Sequence, residues 1–153
     1  VEIADYEPLT LLDYPGTLAV TIYTQGCNLH CAYCHNKDLI PQTSGILPWD
    51  EVFSFLQSRK GLIDSVVFTG GEPTLQSDLP EKILAVKDAG FLVGLHTNGS
   101  LPLYELVAPL CNYILLSHYN QRKINIGMKA DHLTLSEVQL IDEEYKNILT
   151  IVK

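Results

Sequence analysis

The chain has 153 residues, 46% of them hydrophobic, and a formal charge of −8. That length and composition fit one domain with a packed core and argue against disorder. The acidic balance excludes a nucleic-acid binder that relies on a basic footprint, and no apolar run reaches the ~20 residues that cross a bilayer.

The opening Val1-Glu2-Ile3-Ala4-Asp5 has neither the basic nor the apolar part of a secretory signal, so the expected compartment is the cytoplasm. Residues 17–25 mix β-branched and aromatic positions and predict a first strand. Trp49, Val52, Phe53 and Leu56 recur at helical spacing behind Pro48, which predicts a helix over 49–59. A second strand is expected at 64–69. Ser77 or Asp78 then starts a helix carrying Leu79, Ile83 and Val86, with Pro80 in its first turn and Gly90 as its stop. Residues 91–96 predict a third strand, 102–110 a short helix and 112–117 a fourth strand. Residues 118–132 are polar and irregular. Thr134 and Glu137 form a capping box for a last helix whose apolar face is Val138, Ile141, Tyr145 and Ile148. Strands alternating with helices predict parallel β/α units. No repeat or linker interrupts them, so residues 1–153 are expected to form a single domain.

The chemically suggestive residues follow the predicted strands. Cys27-Asn28-Leu29-His30-Cys31-Ala32-Tyr33-Cys34-His35-Asn36 comes after the first and Gly70-Gly71-Glu72-Pro73 after the second. His96-Thr97-Asn98-Gly99 closes the third strand and Ser117-His118-Tyr119-Asn120 the fourth. Loops at the carboxyl ends of parallel strands share one face of the fold, so four distant segments are expected to converge. Three of the four cysteines crowd into eight residues, a pattern of metal or redox chemistry in a reducing compartment. Three thiolates on a [4Fe–4S] cube leave one iron open, as three protein ligands leave an open position on catalytic zinc. Cys111 begins the fourth strand, roughly 20 Å from the loop face at ~3.3 Å per residue, and is expected to be a core thiol.

Other readings of the same residues remain. A structural zinc site could use the three cysteines with His30, or with His35 under strain. Cys31-Ala32-Tyr33-Cys34-His35 fits the haem-attachment pattern, with Met128 as the available distal ligand, but leaves Cys27 without a role. A dithiol at Cys31 and Cys34 also leaves Cys27 aside.

The C-x3-C-x2-C loop with Tyr33 before its last cysteine, together with Gly70-Gly71-Glu72-Pro73, resembles the radical S-adenosylmethionine (SAM) superfamily. Leu11-Leu12-Asp13-Tyr14-Pro15-Gly16, Cys34-His35-Asn36 and Thr97-Asn98-Gly99 are similar to the activating enzymes of glycyl-radical proteins, above all those of anaerobic ribonucleotide reductase and pyruvate formate-lyase. The likeness covers roughly residues 8–116, within a recognisable core of 1–117, and leaves 118–153 as a divergent tail ending in the predicted helix. It implies an α/β fold, a partial (β/α) barrel of parallel strands shortened at its C-terminus. His96 stands where the longer activating enzymes carry an acidic residue, and Ser117-His118-Tyr119 where they carry Asp-x-Lys.

The same resemblance implies a [4Fe–4S] cluster on Cys27, Cys31 and Cys34, with SAM chelated at the open iron. Reductive cleavage of its S–C5′ bond would yield a 5′-deoxyadenosyl radical that takes a hydrogen atom from a glycine of a glycyl-radical enzyme. An anaerobic ribonucleotide reductase is the expected partner, and flavodoxin or ferredoxin the electron donor. Tyr33 and His35 would line the adenine side. Gly70, Gly71 and Pro73 would shape the turn and Glu72 would hold the ammonium, while Thr97 and Asn98 would face the ribose or methionyl group. A 7-carboxy-7-deazaguanine synthase-like enzyme acting on a small molecule is the enzymatic alternative.

Overall fold

The computed structural model describes residues 1–32 and 34–117, and the strands 138–140 and 148–152 by backbone alone. Tyr33, His118, Tyr119, Met128, Thr134 and Glu137 lie outside the described residues. Strands β1 (Ile3–Thr10), β2 (Ala19–Thr24), β3 (Ser65–Gly70), β4 (Leu92–Thr97), β5 (Tyr113–Ser117), β6 (Val138–Leu140) and β7 (Ile148–Val152) form one sheet in the order β1-β2-β3-β4-β5-β7-β6. Helices α1 (Trp49–Ser58), α2 (Leu79–Asp88) and α3 (Leu103–Val107) connect the central strands. β2 to β5 pair in parallel and in sequence order, as strands joined by helical crossovers must. The result is the α/β, mostly parallel sheet of a partial barrel.

Two features depart from the sequence reading. β1 is an antiparallel edge strand against β2 that the composition of residues 3–10 did not announce. Asp5, Glu7 and Pro8 explain why, since charges and proline weaken a strand signal yet suit an edge, where one row of backbone groups faces water. The expected C-terminal helix is also corrected, because Val138–Leu140 and Ile148–Val152 are strands. β7 pairs antiparallel with β5 and with β6. The run Ile148-Leu149-Thr150-Ile151-Val152, β-branched at every position but Leu149, favours extended backbone, and the edge of β5 supplies hydrogen bonds that a local helical pattern cannot outweigh.

Period-two alternation divides the central strands into two faces. Val20 and Ile22, Val66 and Phe68, Val93 and Leu95, and Ile114 and Leu116 form one buried cluster with Val52, Leu56, Ile83, Val86 and Val107 from the helices. The opposite face presents Thr21, Val67, Gly94 and Tyr113 in register. Across it runs the Asp13-Tyr14 segment, tied by Thr21 Oγ1 donating to Asp13 Oδ2 at 2.6 Å and by a tilted ring contact of Tyr14 with Tyr113. Cys111 is buried, its thiol donating to the Val107 carbonyl, as expected of a core residue. Among the described residues no helix is long and apolar enough to cross a membrane.

Candidate active site

The cysteine loop leaves the carboxyl end of β2 and is closed at its base by backbone bonds. Gly26 N–H donates to Leu39 O at 2.9 Å and Cys27 N–H to Ile40 O at 3.0 Å, so the chain returns to where it left the strand. Within the loop, Cys34 N–H donates to Cys31 O and Leu29 N–H to Cys27 Sγ. Cys27, Cys31 and Cys34 are all partly buried, and no disulfide joins any of the cysteines. Burial pushes the Cys27 thiol up, partly offset by the Leu29 N–H, while Glu72 and Cys34 push it further up. A cation at the thiol reverses that balance, because it holds the deprotonated form. His35 is exposed beside Cys34.

The turn after β3 is packed directly against this loop. Gly71 N–H donates to Thr24 O and Glu72 N–H to Gly26 O. A Cβ on Gly71 would run into the Gly26 carbonyl, with Leu39 O 2.8 Å away, and Gly70 meets the Thr24 backbone at a φ of +112°. The glycines are thus required by protein backbone crossing protein backbone, not only by approach to a ligand. Pro73 is buried and opens a single-turn helix, Pro73–Leu75.

Glu72 is 1% exposed and binds four donors. Oε1 accepts from Thr74 N–H at 2.9 Å, from the Thr74 hydroxyl and from Thr97 Oγ1 at 2.5 Å, and Oε2 accepts from Asn98 N–H at 2.7 Å. Burial raises its carboxyl above the usual range, against those hydrogen bonds, which favour the charged form. Oε2, with one donor, retains capacity to accept another. Thr97 is buried, and its hydroxyl also accepts from Gly99 N–H. Asn98 bonds through its side chain to Asn28 and Ser100. The fold therefore brings Cys27, Gly71, Glu72, Thr97 and Asn98 together and leaves Cys111 in the core.

His96 is a satisfied polar residue. Its Nε2 lies 2.8 Å from Asp13 O and its ring meets Tyr113 edge-on. Burial lowers its pKa, while the Asp13 carbonyl and carboxylate pull upward. Asn28, Thr74 and Ser100 belong to the site yet drew no attention in the sequence, since polar loop residues are commonplace. Only their positions after folding set them apart.

A parallel β/α sheet thus carries a three-cysteine loop and a Gly-Gly-Glu turn that abut at its carboxyl edge, an α/β fold of the partial-barrel type. The Radical SAM superfamily model matches residues 21–132, and the chain belongs to that superfamily. A Methanocaldococcus jannaschii protein named as a glycyl-radical enzyme activating enzyme is 36% identical over 111 residues, 72% of this chain and 45% of that relative. The pyruvate formate-lyase-activating enzyme of Staphylococcus aureus is 37% identical over 99 residues, 60% of this chain and 39% of that enzyme. A Methanococcus maripaludis protein named as a probable GTP 3′,8-cyclase is 32% identical over 127 residues, 82% of this chain and 37% of that relative. The chain thus spans less than half the length of these relatives. Membership implies a [4Fe–4S] cluster and SAM, and three partly buried thiols on one closed loop are the donor set such a cluster takes.

Proposed function

We propose that this chain is the cofactor-binding core of an activating enzyme that generates a glycyl radical on a partner protein, with an anaerobic ribonucleotide reductase as the partner and flavodoxin or ferredoxin as the electron donor. The observation that carries the reading is the abutment of the Cys27–Cys34 loop and the Gly70–Pro73 turn at the Gly26 carbonyl. Two relatives named for activation, 36% and 37% identical, support the choice within the superfamily.

In this proposal Cys27, Cys31 and Cys34 hold the cluster, which with bound SAM supplies reductive cleavage of a sulfonium carbon–sulfur bond. Glu72 Oε2 takes the methionyl ammonium, because its other oxygen is already filled by Thr74 and Thr97. Asn98 sits at the edge of that pocket, and Thr97 orients the carboxylate from behind. Gly70, Gly71 and Pro73 fix the turn that delivers Glu72, while Tyr33 and His35 flank the adenine.

Anaerobic reconstitution with iron and sulfide should give a brown protein that releases 5′-deoxyadenosine when mixed with dithionite and SAM. Incubation with a glycyl-radical partner should then produce a glycine-centred EPR doublet. A colourless chain holding one zinc, or four irons without SAM cleavage, overturns the enzyme reading. The relative named as a GTP 3′,8-cyclase supports a second reading, in which the same core acts on a small nucleotide. SAM cleavage that responds to added purine nucleotides and never yields the doublet would favour it.

A further inference from the structure

We infer that Asn28 is a positioning residue that fixes the first cluster ligand, Cys27, against the loops that receive SAM; this rests on the proposed cluster site. Asn98 Nδ2 donates to Asn28 Oδ1 at 3.0 Å, and Asn28 Nδ2 donates to Ser100 Oγ at 2.9 Å. Asn98 N–H donates to Glu72 Oε2, and Glu72 N–H donates to the Gly26 carbonyl at 2.8 Å. Gly26 and Asn28 flank Cys27 in the chain. The bonds therefore close a ring that passes from Gly26 through Cys27 and Asn28 to Asn98, then through Glu72 back to Gly26. Cys27 is clamped on both sides, once by the β3 turn and once by the β4 loop.

The direction of every amide in this ring is determined. Ser100 N–H can only donate, so the atom 2.9 Å away on Asn98 must be Oδ1. That leaves Nδ2 of Asn98 to face Asn28, which must present Oδ1. Nδ2 of Asn28 then donates to Ser100 Oγ, whose own hydrogen goes to Asn98 Oδ1 at 2.6 Å. Each bond of the ring pairs a donor with an acceptor, with no group facing a like group. Such an ordered network holds geometry better than isolated polar contacts do. It also links Cys27 to Glu72, so displacement of one loop carries the other with it.

The test compares wild type with Asn28→Ala, Asn28→Asp and Ser100→Ala after anaerobic reconstitution. Iron per chain is measured, and SAM affinity is read from the change SAM makes in the EPR spectrum of the reduced cluster. Asn28→Ala, which removes the bonds to both Asn98 and Ser100, should keep wild-type iron and bind SAM about tenfold more weakly. Ser100→Ala should weaken binding about two- to threefold. Asn28→Asp, which keeps the acceptor for Asn98, should recover most of what alanine loses. Wild-type SAM affinity in Asn28→Ala, even with a lowered Tm, overturns the inference and leaves the proposed function standing. If Asn28→Ala cannot hold iron, Ser100→Ala decides: weaker SAM binding supports the clamp and wild-type affinity overturns it. A wild-type chain that takes up no cluster overturns the proposed function and this inference together.

Discussion

Along β3, Val66 and Phe68 are fully buried among helical side chains, and a few residues later Gly70 and Gly71 abut protein backbone while Glu72 is buried on hydrogen-bond donors. The strand body is stabilised by removal of hydrocarbon from water, which is non-directional and tolerates exchange of one apolar side chain for another of similar volume. The carboxyl edge is held by directional contacts: backbone against backbone at Gly71, and a buried carboxylate with four donors at Glu72. Damage to the first region should therefore appear mainly as lost stability. Damage to the second should cost cofactor binding beyond any loss of stability, because the contacts that hold it also shape the site.

Removing a thiol gives the sharpest separation. Cys27→Ala should take SAM cleavage to background and deplete iron, yet leave the urea midpoint of the cluster-free chain within ~0.5 kcal/mol of wild type, as for a substitution outside the core; 5′-deoxyadenosine release and equilibrium unfolding measure the two halves. Phe68→Ala is the converse, expected to cost about 4 kcal/mol from cavity formation. If the variant still folds, its remaining folded fraction should reconstitute with normal iron per folded chain. A global stability loss from Cys27→Ala as large as that from Phe68→Ala would break the contrast.

Glycines separate packing from backbone strain. Gly71→Ala should destabilise by about 3 kcal/mol, because its Cβ meets carbonyl groups that cannot move cheaply. Gly61→Ala, at a φ of +84° in open space, should cost only about 1 kcal/mol. Thermal or urea unfolding of the pair tests whether crowding, rather than a left-handed backbone, makes the Gly-Gly turn obligatory.

Glu72→Gln should cost about 2 kcal/mol at neutral pH, since an amide nitrogen must replace an oxygen among donors. The pH dependence supplies an independent check. Burial raises the native carboxyl above its ordinary 4.5, so the native state keeps a proton that the unfolded chain has released. The stability from this group is fully present below pH 4.5 and is lost as pH rises through the raised native value. Urea titrations across that window should show a falling trend in wild type that is absent in Glu72→Gln.

The parallel units were legible because Val66-Val67-Phe68 and Phe91-Leu92-Val93 are dense apolar runs between helix signals, a pattern that local sequence carries in full. The cysteine loop was legible because three thiols at short spacing have few other uses. β1 was not, since Pro8 and two acidic residues mask an edge strand. Nor was the tail, where Val138, Ile141, Tyr145 and Ile148 imitate a helical stripe while β5 offers an edge to pair with. Asn28 and Ser100 carried no signal, because hydrogen bonds between residues 72 apart depend on where two loops end.

Residue order by itself determined the alternation of strand and helix, the placement of reactive groups after strands and the cysteine spacing, because each rests on chemistry among near neighbours in the chain. Tertiary structure alone decided that Gly71 must lack a side chain, that the Glu72 carboxylate joins two loops and that Asn28 meets Asn98. Those contacts exist only once separate strands end side by side, and no local pattern encodes a distance across the sheet.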